Sequence, residues 1–324
     1  MRSPQREKDM LGIHHVTAIA GDPIGNIDFY TRKLGLRFVK KTVNFDEPST
    51  YHFYYGDETG SPGTILTFFP WTTAPAGQRG AGEAHQTAFR IPQRSIDYWT
   101  KRFIEKEIPH QPQEMRFGEP VLPFTDHDGM ALALVGIAGA ENEPAWSNDD
   151  IPSEHAIRGF QGVMLLLNSA QKSAAILTDV LGFREVAEEG SVTRFAVAGN
   201  ARGGAVDIHL AEGAVRGHQG RGSVHHIAFR VPDDEQQRQM AEKLISAHGR
   251  HPTEQKNRNY FRSVYFREPG GVLFEIATDI PGFAVDEPVK ALGRDLKLPK
   301  FLEPQRTEIE RALPALEPTR SAVA

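Results

Sequence analysis

Two pairs of adjacent histidines and one glutamate are the residues of this sequence best suited to hold a metal ion. The pairs are His14-His15 and His225-His226, and Glu275 lies in an apolar segment further along the chain. One imidazole from each pair, together with the carboxylate, would form the facial triad of non-haem Fe(II) oxygenases. Zinc and manganese accept the same ligands, so the residue types alone do not select iron.

An internal repeat explains why the two pairs stand at matched positions. The segment that begins at His225 resembles the one that begins at His85, and the segment at Leu34 resembles the one at Leu181. Four related units therefore begin near His14, His85, Phe160 and His225.

Each unit has the same predicted order of elements, namely a strand, a helix and three further strands. Helical stretches are predicted over 24–33 in the first unit and 234–248 in the last. Gly35 and Gly182 follow the helices of the first and third units and suit a helix end that needs a positive φ. The sequence therefore predicts an α+β fold built from four βαβββ units.

The alternation of side chains along a strand predicts which of these residues share a face. Glu275 lies in a mostly apolar unit, so its carboxylate needs a cation or a hydrogen-bond donor. Thr17 lies two residues from His15 and would share its face. His14 and His225 would point to the opposite faces of ideal strands, which favours a packing role for them.

The length and composition favour two domains. The chain has 324 residues, of which 39% are apolar, and a domain typically has roughly 150 residues. The polar segment 141–158 carries two prolines and is the predicted boundary. We predict an N-terminal domain of two units (1–145), a C-terminal domain of two units (146–285) and a C-terminal extension (286–324). One short helix is predicted over 306–313.

The composition also excludes several classes of protein. Cysteine is absent, which excludes disulfides and thiolate metal sites. The net charge of −5 gives no electrostatic reason to expect nucleic-acid binding, and no apolar stretch is long enough for a membrane span. Residues 1–10 are charged and show no signal peptide. We therefore expect a cytoplasmic protein without nucleic-acid or membrane partners, and the sequence is compatible with a homo-oligomer.

These features together resemble the vicinal oxygen chelate superfamily, and within it the dioxygenases that cleave hydroquinone rings. The resemblance covers most of the chain and depends on the order of short segments rather than on any one motif. These segments are 11–17, 60–64, 151–160, 256–261 and 270–275. The resemblance implies two tandem domains of the vicinal oxygen chelate fold.

The resemblance also implies which residues bind the metal. In that family the ligands are the second histidine of each pair and the glutamate of the last strand, here His15, His226 and Glu275. Common extradiol enzymes instead take both histidines from their second domain, through units three and four. Unit three offers Gln161-Gly162 at that place, so the first unit must supply the first histidine, as it does in the hydroquinone-cleaving enzymes.

Further residues near the metal are implied by the same resemblance. Tyr265 would hydrogen-bond an oxygen at the metal, and Arg258 would hold an anionic oxygen. Thr17, His14 and His225 correspond to residues near the substrate, with His225 as a candidate acid–base group. A bulge in the strand, or a position at a domain interface, would reconcile this role with the predicted alternation.

The implied activity is that of an Fe(II)-dependent extradiol-type dioxygenase acting on a hydroquinone or catechol. Its partners would be a small aromatic substrate and O₂, and Mn(II) or Zn(II) could occupy the isolated protein. One alternative is a glyoxalase-type isomerase or thiol-adduct enzyme, which needs a fourth ligand. Thr67 stands at that place, opposite Glu275 in the repeat, and threonine is a poor ligand. The other alternative is a protein that binds a small aromatic without a metal.

Overall fold

A computed structural model describes residues 12–199 and 202–316. The predicted absence of a signal peptide concerns residues 1–10, which lie outside the described residues. Within the described ranges, no helix is both long enough and apolar enough to cross a bilayer.

The first two units follow the predicted order of elements. The first comprises β1 (Ile13–Ala20), α1 (Pro23–Asp28), a π-helical turn (Phe29–Lys33), β2 (Arg37–Asn44), β3 (Glu47–Gly56) and β4 (Ile65–Pro70). The second comprises β5 (Glu83–Pro92), α2 (Ile96–Glu105), β6 (Glu114–Arg116), β7 (Glu119–Thr125) and β8 (Ala131–Ile137).

The last two units repeat that order, which confirms four βαβββ units. The third comprises β9 (Phe160–Leu167), α3 (Gln171–Asp179), β10 (Arg184–Glu189), β11 (Val192–Ala196) and β12 (Ala205–Leu210). The fourth comprises β13 (Val224–Val231), α4 (Asp234–His248), β14 (Lys256–Asn257), β15 (Arg262–Arg267) and β16 (Leu273–Thr278). The short helix predicted after the repeat is α5 (Arg306–Ala312).

The strands form two curled eight-stranded sheets, each built from two units. The first sheet has the order β14-β15-β16-β13-β1-β4-β3-β2 and combines units one and four. The second has the order β10-β11-β12-β9-β5-β8-β7-β6 and combines units two and three. Antiparallel pairing of β1 with β13, and of β5 with β9, joins the units. Each sheet thus draws strands from both sides of residue 145, and the division into domains at that residue stays a prediction.

Local sequence signals explain where the helices begin and end. Asp22 caps α1 by accepting hydrogen bonds from two backbone N–H groups, and a proline occupies the first turn. Asp233 caps α4 by accepting a hydrogen bond from the Gln236 N–H, and Gly249 ends that helix in the left-handed region. Gly35 and Gly182 both have a φ of +74°, which confirms the predicted helix ends.

Helix α4 holds the last strand of the first sheet in place. Phe274 and Ile276 of β16 are fully buried on the apolar face of that strand. Gln237 of α4 is also buried, and its side-chain amide donates hydrogen bonds to the backbone oxygens of Arg262 and Ile276. The backbones of β15 and β16 are therefore both tied to one helix.

The pairing of units predicts that the C-terminal half cannot assemble the first sheet alone. A fragment of residues 150–324 lacks β1 and β5, so β13 and β9 would become open edges, which favour aggregation. We expect this fragment to bind no metal, even where it stays in solution. Co-expression with residues 1–149 should restore binding, as measured by metal analysis after purification. Metal binding at wild-type affinity by the 150–324 fragment alone would contradict this arrangement.

Candidate metal centre

Three side chains from neighbouring strands converge in the first sheet. They are His15 of β1, His226 of β13 and Glu275 of β16. The two Nε2 atoms lie 3.4 Å apart, and Glu275 Oε2 lies 2.9 Å from His226 Nε2 and 3.4 Å from His15 Nε2. All three residues are at most 5% exposed. The structure therefore brings together the two histidines and the glutamate that the sequence singled out.

The surroundings of Glu275 are those expected of a metal ligand. Glu275 Oε1 accepts a hydrogen bond from the Ser263 hydroxyl. Glu275 Oε2 faces the two histidine nitrogens and receives no hydrogen bond of acceptable geometry from the described residues. Burial alone would raise the pKa of Glu275, but His15 and His226 hold that pKa well below its usual range. A buried, ionised carboxylate beside two imidazole nitrogens is a ligand set that divalent iron, manganese or zinc accepts.

β-bulges explain how both histidines of each pair reach this site. The β1–β13 register shifts between Ile13 and His15, which leaves His14 at a bulge, and a second shift leaves His225 at another. His14 Nδ1 lies 2.9 Å from His15 Nδ1, and His225 Nδ1 lies 2.8 Å from His226 Nδ1. The ideal alternation expected for these pairs therefore does not hold, and each outer histidine contacts the inner one.

These contacts orient the two inner imidazoles. Because their Nε2 atoms face the cluster, His15 and His226 would carry their hydrogens on Nδ1 and donate them to His14 and His225. His14 is buried against Phe261, with 5.2 Å between ring centroids. Burial and the neighbouring His226 lower the pKa of His225 to about 3, so its ring is neutral near pH 7.

A cavity of about 360 Å³ opens beside His15 and His226. Aromatic rings form much of its wall, and polar side chains stand among them. The aromatic lining residues are Phe45, Tyr54, Phe69, Trp71 and Phe261, and the polar ones include His52, His225, Arg258 and Tyr265. A space of this size, with aromatic walls and converging polar side chains, is typical of a site for a small organic ligand.

Tyr265 and Arg258 form a hydrogen-bonded pair on this wall. Tyr265 stands directly opposite Glu275 in the β15–β16 register. Arg258 Nε donates to the Tyr265 hydroxyl at 3.2 Å, and Arg258 Nη2 lies 2.9 Å from Asp46 Oδ2. Burial and the Glu275 carboxylate raise the pKa of Tyr265, so the phenol keeps its proton and can donate it in a hydrogen bond.

Several side chains of the site were not found by sequence reasoning. Asp46 lies in the turn between β2 and β3 and reaches Arg258 across the cavity. Trp71 donates to Glu47, the first residue of β3, at 3.1 Å. No local pattern in the sequence predicts that this turn contacts the connection between β14 and β15. Ser263 could have been found, because it lies two residues before Tyr265 and so shares its face.

The strand registers identify the place beside the three candidate ligands where a fourth ligand would stand. Ala228, two residues after His226, pairs with Glu275, and Thr17, two residues after His15, pairs with Thr67. Thr67 thus occupies in the first unit the place that Glu275 occupies in the fourth. Its hydroxyl donates to Thr17 Oγ1 at 2.9 Å.

The second sheet carries the same positions with different residues. Gln86 and Gly162 replace the two inner histidines, and Met164 pairs with Asp207, which stands in place of Glu275. The Arg194 guanidinium holds Asp207 through bonds of 2.8 and 2.9 Å. Among the described residues, the cluster in the first sheet is the only group of three histidine, aspartate or glutamate side chains placed to share an ion.

Comparisons with known proteins identify the family of this chain. The family model of the glyoxalase/bleomycin resistance protein/dioxygenase superfamily matches residues 12–134 and 159–276. Two proteins of Bacillus subtilis (strain 168), provisionally named ring-cleaving dioxygenases MhqO and MhqE, are 44% and 45% identical over 94% of this chain and 96% and 99% of their own lengths. The chlorohydroquinone/hydroquinone 1,2-dioxygenase of Sphingobium indicum is 30% identical over 97% of this chain and 98% of its own.

Solved structures extend the comparison. The crystal structure of a provisionally named dioxygenase from Bacillus subtilis has a TM-score of 0.90 at 43% identity, covering 95% of this chain and 98% of that one. Glyoxalase I from Zea mays shares the fold, with a TM-score of 0.65 at 13% identity over 86% of this chain and 95% of its own. The chain belongs to the glyoxalase/bleomycin resistance protein/dioxygenase superfamily, and within it to the ring-cleaving dioxygenases.

Proposed function

We propose that the protein is an Fe(II)-dependent dioxygenase that cleaves the ring of a hydroquinone, with catechols as the related substrate class. One observation carries this proposal: a buried cluster of two imidazoles and one carboxylate faces a cavity with aromatic walls. Three protein ligands would leave the ion accessible to other ligands. The relative named for chlorohydroquinone and hydroquinone supports the choice of substrate class.

His15, His226 and Glu275 would hold the ion. When bound, iron would supply the redox chemistry that lets O₂ react with an aromatic ring. Mn(II) or Zn(II) could take its place in the isolated protein, since both accept the same ligands. His14 and His225 would fix the orientation of the two ligand imidazoles through their Nδ1 contacts.

The remaining polar groups would bind and orient the substrate. The Arg258 guanidinium favours the anionic form of a phenolic hydroxyl, and the protonated Tyr265 donates a hydrogen bond beside it. His225 accepts from His226 at Nδ1, which leaves its Nε2–H free to donate to a substrate oxygen in the cavity. The aromatic walls exclude water from the ring of the substrate.

Two alternatives have less support. A glyoxalase-type isomerase or thiol-adduct enzyme would need a fourth protein ligand, and Thr67 at that position is engaged with the Thr17 hydroxyl. A protein that only binds small aromatics would not need a buried carboxylate beside two histidines. The cytoplasmic location and the homo-oligomer stay predictions.

The proposed function is tested by O₂ consumption after anaerobic loading with Fe(II). A panel of hydroquinones and catechols is supplied, and the product is analysed by mass spectrometry after reaction under ¹⁸O₂. We expect uptake of O₂ with at least one hydroquinone and both oxygen atoms in the ring-opened product. Iron-loaded protein that consumes no O₂ with any member of the panel would refute the proposal.

The role of Glu275 as a ligand is tested by Glu275→Gln. The amide keeps the shape of the side chain but removes the charge, so we expect bound iron and turnover to fall sharply while the fold is retained. Asp207→Asn is the matched control, because Asp207 holds the equivalent place in the second sheet and pairs with Arg194. Full iron content and turnover in Glu275→Gln would refute the ligand assignment.

Tyr265 and Arg258 are predicted to act on substrate rather than on metal retention. The loss of one donor to a developing oxyanion typically costs roughly 10²- to 10³-fold in rate. Tyr265→Phe and Arg258→Ala should therefore keep near-normal iron and lose kcat, and Arg258→Ala should also raise KM. Tyr98→Phe, on helix α2 of the second unit, serves as the control. Parallel loss of iron and activity, or normal turnover in both variants, would show that these roles are wrong.

A further inference from the structure

Two carboxylates that follow the last unit of the repeat surround a fully buried lysine. The Lys40 ammonium on β2 pairs with Asp286 Oδ1 at 2.5 Å and with the Glu287 carboxylate. The lysine side chain is 0% exposed and Glu287 is 3% exposed. A buried ammonium needs charged partners in place of its water. The two carboxylates therefore tie the segment 282–287 to the first unit.

The same segment holds the connection between β14 and β15, residues 258–261. Asp286 Oδ2 accepts hydrogen bonds from the Tyr260 hydroxyl at 2.9 Å and from Asn259 Nδ2 at 3.3 Å. The Gly282 N–H also donates to the backbone oxygen of Tyr260, at 2.9 Å. Asp286 thus links the buried lysine of the first unit to two consecutive residues of the fourth.

This connection is a tight turn that begins at Arg258. The Arg258 N–H donates to the backbone oxygen of Phe261 at 2.9 Å, and the Tyr260 N–H donates to the backbone oxygen of Arg258 at 2.8 Å. Asn259 has a φ of +68°, in the left-handed region that asparagine enters more readily than most residues. Because Asn259 directly follows Arg258, a change in its backbone would redirect the arginine side chain.

The linking segment also joins the two edges of the first sheet. β2, which carries the lysine, and β14, which leads into the turn, are the edge strands of that sheet. Phe283 stacks on Tyr260 with 4.9 Å between ring centroids. It also lies 5.1 Å from the ring of Tyr54, which lines the cavity. The segment 282–287 therefore supports part of the cavity wall.

We propose that Asp286 is a positioning residue, which holds the turn 258–261 so that the Arg258 guanidinium stays directed at the cavity. Asp46 and Tyr265 contact the guanidinium itself, whereas Asp286 fixes the backbone that carries it. The consequence for catalysis rests on the proposed function, in which Arg258 favours the anionic form of a phenolic hydroxyl. Asp286 acts through the turn and need not touch the substrate.

The positioning is tested on the metal-free protein, without reference to activity. The Arg258 Nε–H donates to the Tyr265 hydroxyl, and its signal in side-chain ¹⁵N–¹H correlation spectra is assigned by its loss in Arg258→Lys. In Asp286→Ala we expect this signal to shift. Exchange of its hydrogen with water should become faster by about 3- to 10-fold, the range typical of one lost hydrogen bond.

Glu143→Gln is the matched control for these spectra. Glu143 follows the second unit as Asp286 follows the fourth, and it pairs at 2.7 Å with Arg90, a buried cation of the second sheet. Its substitution should leave the Arg258 signal unchanged. An unchanged signal in Asp286→Ala, or an equal change in both variants, would overturn the inference.

The functional part is tested by steady-state kinetics on iron-loaded variants. Asp286→Ala should raise KM and lower kcat/KM by about 3- to 10-fold, with iron content near normal. Asp286→Asn keeps an acceptor oxygen for Tyr260 and should lose less. In an Arg258→Ala background, Asp286→Ala should have almost no further effect, because the guanidinium that Asp286 positions is gone.

A second variant covers the case in which Asp286→Ala fails to fold. Tyr260→Phe removes one hydrogen bond to Asp286 and keeps the ring, so it should give the same pattern with a smaller change. Equal losses with and without Arg258, or iron loss in parallel with activity, would overturn the inference while the wild type stays active. An iron-loaded wild type that cleaves no ring would instead overturn the proposed function, and the spectra of the metal-free protein would still decide whether Asp286 positions Arg258.

Discussion

The buried carboxylate of Glu275 is the constraint on which the rest of the first sheet depends. An isolated charge in a protein interior costs far more free energy than a fold can usually spare, so it must be paired or coordinated. Here one oxygen accepts from Ser263 and the other faces two imidazoles. Helix α4 fixes the strand that carries the carboxylate, and the β1–β13 pairing brings the first histidine to it from the opposite end of the chain.

In the second sheet, the charge of the buried carboxylate is compensated in a different way. This sheet has the same order of strands, yet a glycine and a glutamine stand where the first sheet has histidines. The carboxylate of the second sheet, Asp207, is held by the guanidinium of Arg194, which stands opposite it on β11. In the first sheet the residue opposite Glu275 is instead Tyr265 on β15. A fixed side-chain cation thus compensates the charge in one sheet, whereas in the other we propose that an exchangeable ion does so. The two sheets therefore share their strand order but differ in the residues at the matched positions.

The sequence was sufficient to predict the repeat and the order of elements, because both depend on local or periodic signals, whereas the choice of His15, His226 and Glu275 within the cluster came from the family resemblance. Gly35 and Gly182 marked helix ends, and the matched histidine pairs pointed to units one and four. A bulge at His14 and His225 was one of two explanations that the sequence left open, and it could not be selected from the sequence, since bulges arise from the register between two strands far apart in the chain. Asp46, Trp71 and His52 were missed for a related reason: their contacts are set by how the β2–β3 hairpin lies over distant strands. Residue types alone give no sign of that arrangement.

The central claim is that one ion is bound between the first and last units, by residues from both ends of the chain. Anomalous X-ray scattering at the iron absorption edge, recorded from crystals of the iron-loaded protein, tests it most directly. The account predicts one strong peak in each chain, at about 2 Å from His15 Nε2, His226 Nε2 and an oxygen of Glu275. A peak beside Asp207 in the second sheet, or one in the first sheet that lies out of bonding distance of His15, would contradict it.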